Sequence, residues 1–267
     1  MAAALSAPQP RSGGGWADLD AGSASLIADR LLSKDVRDYV RFRAVCGAWR
    51  AGCADPRTHD VSVFDRRFHP RRWIMLPLAS NAGNRRRFLN VDTGERILVG
   101  LPESRRYYFL GPTAEGLLVL CLKDDYAVRL LNPLTAQLTD LPDATTLLDP
   151  SKTNRTMEQA LNNFQIISAG LADEHSMVVL HFGGKALAMA KPDERWTQLT
   201  PPDVIFSTLP FAGRFYCATS RNISVLELDA CGKDDQRQRR PRLVFAADHE
   251  LECWTCTCCT ARTSTST

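Results

Sequence analysis

Four cysteines crowd the segment ECWTCTCCTARTSTST (252–267). Cys253 and Cys256 have the CxxC spacing of a metal knuckle, and Cys258 and Cys259 follow directly. Four thiolates are a sufficient donor set for zinc, but structural sites join two separated pairs across a turn. Adjacent Cys258 and Cys259 fit a tetrahedron poorly and no histidine follows, so residues 251–267 read as a disordered, low-complexity tail that holds no metal. The histidines, His59, His69, His175, His181 and His249, are scattered, and none has a partner at ligand spacing. His181 lies in an apolar run and reads as a structural side chain. The paired carboxylates Asp124-Asp125 and Asp234-Asp235 sit in turn-like segments, where Asp bonds to nearby backbone N–H groups.

No GxxxxGK[ST] phosphate cradle, HExxH zinc helix or GxSxG nucleophile elbow occurs in the sequence. The expectation is therefore a protein without an active site or cofactor. Basic clusters occur at Arg66-Arg67, Arg71-Arg72, Arg85-Arg86-Arg87 and RQRRPR (237–242). The whole chain balances 33 Lys and Arg against 30 Asp and Glu, a net +3. Nucleic-acid binding calls for a concentrated basic face, so these clusters read as solvated loops.

The chain has 267 residues, 44% of them hydrophobic, enough for a substantial core in one or two domains. No apolar run approaches the roughly 20 residues that span a bilayer. Residues 1–15, with Pro8, Pro10 and Gly13-Gly14-Gly15, lack the charged and apolar regions of a secretory signal and read as a disordered leader. Nine cysteines without such a signal predict reduced thiols and a cytoplasmic or nuclear protein. Cys46, Cys121 and Cys217 have apolar neighbours and are expected in the core.

Two regions with different hydrophobic periods must position whatever site exists. From Trp16 to Asp55 the pattern is helical. Leu26, Ile27, Leu31 and Leu32 mark one helix, and Val36, Tyr39 and Val40 a second. VRFRAVCGAWR (40–50) predicts a third, with Phe42, Val45, Cys46 and Trp49 at i, i+3, i+4 and i+7 and Arg41, Arg43 and Arg50 around them. Ser33-Lys34-Asp35 offers N-cap oxygens between the first two. Three short helices make a marginal core that gains from a partner or from the rest of the chain. On this reading Phe42 and Cys46 pack inward, while Val45, Trp49 and the arginines meet that partner.

After Val61 the period shortens to that of strands: WIMLPL (73–78), RFLNV (87–91), RILVGLP (96–102), GLLVLCL (116–122), AVRLLNP (127–133), SMVVLHF (176–182), KALAMA (185–190), RFYCATS (214–220), ISVLELD (223–229) and RLVFAA (242–247). Gly183-Gly184 marks a hairpin. Such strands and turns predict an all-β sandwich, barrel or propeller. A repeat favours the last. FLNVDTGERILVGLP (88–102) aligns with LLNPLTAQLTDLP (130–142), with Asn90 and Asn132 placed 42 residues apart. AMAKPDERWTQLTPP (188–202) is a looser copy, and LPFAGRFYCATSRNISVLELD (209–229) a further hairpin. A period near 40 is that of propeller blades.

WADLDAGSASLIADRLLSKDVRDYVRFRAVCGAWR (16–50) resembles an F-box, above all in its closing Phe-Arg-x-Val-Cys-x-x-Trp-Arg; Leu19-Asp20 stands where that family carries Leu-Pro. GPTAEGLLVLCLKDDYAVRLLNPLTAQLTDLP (111–142), RWTQLTPP (195–202) and GRFYCATSRNISVLELD (213–229) resemble plant F-box proteins with a propeller-like domain of unknown function 295. The resemblance implies an α+β, multidomain chain: an F-box helical module at 16–55 and a propeller-like, kelch-like β domain at 61–250. The family's chains run longer, so it also implies a propeller that is incomplete here. F-box proteins hold an Skp-type adaptor and through it a cullin, as the substrate-recognition subunits of SCF ubiquitin ligases. The resemblance therefore implies that Leu19, Ile27, Leu31, Val36, Phe42, Arg43, Val45, Cys46 and Trp49 form the module's core and adaptor surface. The β domain would bind a substrate protein. Two other outcomes are a binding or inhibitor protein outside the ligase, with a degenerate F-box, and a truncated member without function.

Overall fold

A computed structural model of the chain describes residues 15–16, 19–58, 62–77, 85–101, 106–147, 159, 166–172, 176–183, 186–228 and 241–248. The expectations for residues 1–14, Gly184, His59, His175, His249, Asp234-Asp235, RQRRPR up to Arg240 and the cysteine-rich segment lie outside these residues. The chain divides into two compact units, with the boundary between Ser62 and Val63.

The first unit holds helices α1 (Ala21–Lys34), α2 (Val36–Arg43) and α3 (Gly47–Ala51). Asp20 caps α1 by accepting from the Ser23 N–H at 2.9 Å, and these hydrogen bonds hold its carboxyl below the usual carboxylate range. Asp35 ends α1 and caps α2, accepting from the Arg37 N–H at 2.8 Å. Of the two side chains offered as caps by the sequence, the cap is Asp35, and Ser33 instead donates to the Arg30 carbonyl.

The third helix does not run over 40–50. Phe42 and Arg43 close α2, Ala44 and Val45 form a turn, and α3 begins only at Gly47. Cys46 is extended, at φ −154°, and its Sγ accepts from the Trp49 N–H at 3.4 Å, so the residue caps α3 and is half-buried, not a core side chain. An N-cap residue leaves the helical region because its side chain replaces the missing i−4 acceptor. The helical spacing from Phe42 to Trp49 is thus a coincidence of sequence. Their rings still meet, stacked with centroids 4.4 Å apart and planes at 20°.

The second unit is four antiparallel sheets, each a meander in chain order. The first is β1 (Trp73–Met75), β2 (Arg85–Asn90) and β3 (Arg96–Gly100). The second is β4 (Tyr107–Pro112), β5 (Leu118–Leu122), β6 (Val128–Leu131) and β7 (Leu138–Leu141). The third is β8 (Ile166–Ala172), β9 (Met177–Phe182), β10 (Ala186–Ala190) and β11 (Thr197–Leu199). The fourth is β12 (Ile205–Phe211), β13 (Arg214–Thr219), β14 (Asn222–Leu228) and β15 (Pro241–Asp248).

The sheets stack face to face, which explains why the middle strands read as unbroken apolar runs. On β5, Leu118, Leu120 and Leu122 face Trp73 and Phe88 of the first sheet, while Val119 and Cys121 face Val178, Leu180 and Ala188 of the third. On β9, Val178 and Leu180 face back, while Met177 and Val179 join Phe215, Cys217 and Leu226 of the fourth. A strand buried on both faces loses the polar alternation of a half-exposed one. The opening strands lie side by side: Thr113 bridges Ala169 in parallel after β4, and Ser168 on β8 hydrogen-bonds Thr208 on β12 through their hydroxyls. Stacked meanders with adjacent opening strands make a propeller-like arrangement, not a sandwich or a barrel.

The repeat seen in the sequence is a repeated turn. Asn90 Oδ1 accepts from the N–H groups of Asp92 and Thr93, at 3.0 and 3.1 Å. Asn132 Oδ1 does the same for Leu134 and Thr135, at 3.1 and 3.3 Å. Gly94 and Ala136, at the same place in the two turns, both take positive φ, +72° and +60°. The looser copy after β10 has no Asn at this point, and Asp193 takes the positive φ there, +64°.

Candidate functional site

In the helical unit the side chains that close the core are smaller and more polar than the apolar pattern predicts. Ala24 and Ala28 are the buried positions of α1, and Val36, Tyr39, Phe42 and Arg43 those of α2. Leu26 and Ile27 are left 73% and 38% exposed. Small residues at i and i+4 let helices approach closely. A Cβ on Gly52, just after α3, would stand 3.2 Å from the Ala21 carbonyl.

Arg43 is the group that sequence reasoning misplaced. It does not face outward but is 7% exposed. Its Nη1 donates to the carbonyls of Cys53 and Ala54 at 2.7 and 2.6 Å, and its Nη2 lies 2.8 Å from Asp55. The Tyr39 hydroxyl donates to the same Ala54 carbonyl at 2.5 Å, and burial pushes its pKa up. A guanidinium with several fixed donors is suited to clamp a stretch of backbone in this way. Arg43 and Tyr39 tie the segment that follows α3 to α2.

The remaining proposed residues divide by exposure. Val36 and Phe42 are buried in the unit's core, and Leu19, Leu31, Cys46 and Trp49 are half-buried. Trp49 Nε1 donates to the Trp16 carbonyl at 3.0 Å, which anchors the chain ahead of α1. Val45 is 62% exposed in the turn between α2 and α3. Ile27 and Val45, together with Leu26 and Trp16, leave the helical unit with large apolar side chains in solvent. The sequence pattern used Leu26 to mark the first helix, and nothing in its spacing marks it as exposed.

Residues suited to chemistry do not converge. Among the described residues no group of three His, Cys, Asp or Glu side chains could hold a metal ion. Cys121 and Cys217 are buried, and burial pushes both thiols up to about 12. His181 is buried in β9. Asp125 accepts from the Ala127 N–H at 3.0 Å and Asp124 pairs with Arg106 at 3.1 Å, so both carboxylates serve their turn. Glu115 is buried between β4 and β5, where Oε1 accepts from the Leu171 N–H at 3.3 Å and burial raises its pKa. Of the basic clusters, Arg67 pairs with Asp65 and Arg72 with Asp92, and Arg86 lies over the Phe109 ring. No described helix is long and apolar enough to cross a membrane.

Comparison with curated proteins gives no match. Among solved structures, the dihydro-heme d1 dehydrogenase NirN is similar at 11% identity and a TM-score of 0.27, over 81% of this chain and 53% of that one. The chain thus spans about half the length of that protein. The model of the KIB1-4 beta-propeller family matches residues 88–263, which takes in the described strands from the second half of β2 through β15. The stacked four-stranded meanders are the architecture that description names, and the chain belongs to the KIB1-4 beta-propeller family.

Proposed function

We propose that the chain is a substrate-recognition subunit of an SCF-type ubiquitin ligase, with no chemistry of its own. The helical unit binds an Skp-type adaptor and through it a cullin, and the propeller-like unit binds a substrate protein. The observation that carries this reading is the helical unit itself. It has a very small core, a polar clamp at Arg43, and apolar side chains at Ile27 and Val45 that its own packing does not use. Exposed apolar groups around a small patch are what an interface hot spot draws on. The mechanism is proximity: holding a substrate beside a ubiquitin-charged enzyme raises its effective concentration without a catalytic side chain.

Co-precipitation with an Skp-type adaptor tests this. Ile27→Asp and Val45→Asp change exposed side chains and leave the core intact, so binding that is lost in these folded variants supports the reading. Binding to neither adaptor nor cullin by the unaltered chain would sink it. Trp49→Asp is a poorer probe because it also breaks the stack on Phe42. A second reading, binding outside the ligase, is favoured by Asp20, which uses the place of the motif's proline to cap α1. Stable association with a target in complexes that never contain a cullin would select it.

A further inference from the structure

The first sheet has two unlike faces. Trp73, Phe88, Ile97 and Val99 pack toward the second sheet. The opposite face is set by register, because directly paired residues share a face and so do residues two apart. Ile74 pairs with Leu89 and Leu89 with Arg96, Arg87 pairs with Leu98, and Arg85 with Gly100. That face therefore carries Arg85, Arg87, Leu89, Ile74, Arg96 and Leu98. Ile74 is 47% and Leu98 58% exposed, and all three arginines are exposed. A Cβ on Gly100 would meet nothing within 4 Å, so the sheet is open beside Arg85 as well.

No ion pair among the described residues involves Arg85, Arg87 or Arg96, whereas the neighbouring Arg72 is matched by Asp92 at 2.9 Å. Arg87 lies about 7 Å from Arg85 along β2 and about 7–8 Å from Arg96 on the diagonal, so the middle charge is repelled from both sides. We propose that this face is a docking surface for an acidic, amphipathic, extended segment of a partner protein. Arginine forks pair with carboxylates bidentately, and Ile74, Leu89 and Leu98 lie between them to receive aliphatic side chains. An extended segment whose every second residue is acidic or aliphatic, with both kinds on one face, has the period of this surface. Single-stranded nucleic acid would call for aromatic platforms, and the sheet's aromatics Trp73 and Phe88 point to the other side. The outward face of the fourth sheet exposes Leu209 and Phe211 with Arg214 opposite Phe211, not a run of like charges, and defines no partner. The proposal rests on the adaptor reading only in so far as the bound protein is called a substrate.

The test uses the full chain and fluorescence anisotropy with three labelled probes at about 50 mM salt, where screening is weak. These are a peptide in which Glu and Leu alternate at every second residue with Thr between them, its Lys–Leu counterpart, and an oligothymidylate of the same charge as the first. The Glu–Leu peptide is expected to bind and the Lys–Leu peptide not to. The double variant Arg87→Glu/Arg96→Glu, and separately Leu98→Asp, are expected to weaken binding by about tenfold or more. Arg214→Glu on the fourth sheet is expected to leave it unchanged. No binding of the Glu–Leu peptide, undiminished binding by the variants, or tighter binding of the oligothymidylate would each overturn the proposal. Adaptor co-precipitation with the same variants keeps the two readings apart: adaptor retained with peptide lost supports this surface, and adaptor absent with peptide bound removes the ligase reading alone.

Discussion

Arg43 shows how far a single side chain's role is from its motif position. Its guanidinium satisfies the carbonyls of Cys53 and Ala54 and the carboxylate of Asp55. Arg43→Ala leaves the Cys53 carbonyl and the Asp55 carboxylate without this partner and the Ala54 carbonyl with Tyr39 alone, a loss of about 1–3 kcal/mol, which a unit this small does not absorb. The expected outcome is loss of the helical circular-dichroism signal, and Arg43→Lys, with one point charge in place of a fork, recovers part of it. Glu115 gives a pH dependence. Its folded pKa is raised by burial, so at neutral pH the ionised carboxylate costs the fold free energy. As pH falls through that raised value the folded chain takes up a proton that the unfolded chain does not yet hold, and stability rises until the ordinary carboxylate range is reached. Thermal melts of the unaltered chain and Glu115→Gln should therefore shift in favour of the unaltered chain between about pH 7 and about pH 5. A difference that does not change with pH would contradict this.

At the scale of elements, the turn after β2 and the turn after β6 use one device. Asn132 adds to it, because its Nδ2 also donates to the Phe68 carbonyl at 2.8 Å and so ties the β6–β7 turn to the 3₁₀ turn at Arg66–Phe68. Asn132→Ala removes an acceptor for two N–H groups and the donor of a buried carbonyl, at a cost of about 1–3 kcal/mol. Asn132→Asp keeps the acceptor, and its protonated carboxyl supplies one O–H donor in place of the amide's two N–H groups, so in denaturant titrations it should fall between the unaltered chain and Asn132→Ala at a pH where that carboxyl is protonated. The break between α2 and α3 belongs to this scale too. The apolar spacing from Phe42 to Trp49 is that of one helix, and Cys46 as an N-cap is what stops it.

For the molecule as a whole, the stacking of sheets sets which small residues are required. Gly170 lies in β8 where a Cβ would come within 2.1 Å of Pro210 Cγ on β12. At Gly111, in β4, the nearest atom would be Ile166 Cγ2 at an ordinary 3.6 Å. Gly170→Ala should destabilise the second unit by about 1–3 kcal/mol through overpacking of the third sheet on the fourth, whereas Gly111→Ala should lie within about 0.5 kcal/mol of the unaltered chain. Equal melting temperatures for the two variants would show that β8 and β12 are not so closely packed.

Most strands were legible from period and turn chemistry, including the Asn90 and Asn132 repeat, because a half-buried pleat and an Asx turn are local properties. The strand runs at 107–112, 166–172 and 205–211 were not, apart from the hairpin end of the last. These are the opening strands β4, β8 and β12, built from sequences such as YYFLGP and IISAGLA that carry Gly, Pro and Ser. They are strands because neighbouring sheets approach them closely, and no local signal records that approach. The helical unit follows the same division. Its first two helices and the Asp35 cap are written in the sequence, and the break that delays the third to Gly47 is not. Packing alone decided that alanines and Arg43 would be buried while Leu26, Ile27 and Val45 stayed in solvent. The sequence by itself determined where backbone turns and which residues alternate. The tertiary structure decided which faces are covered, since burial depends on neighbours far along the chain.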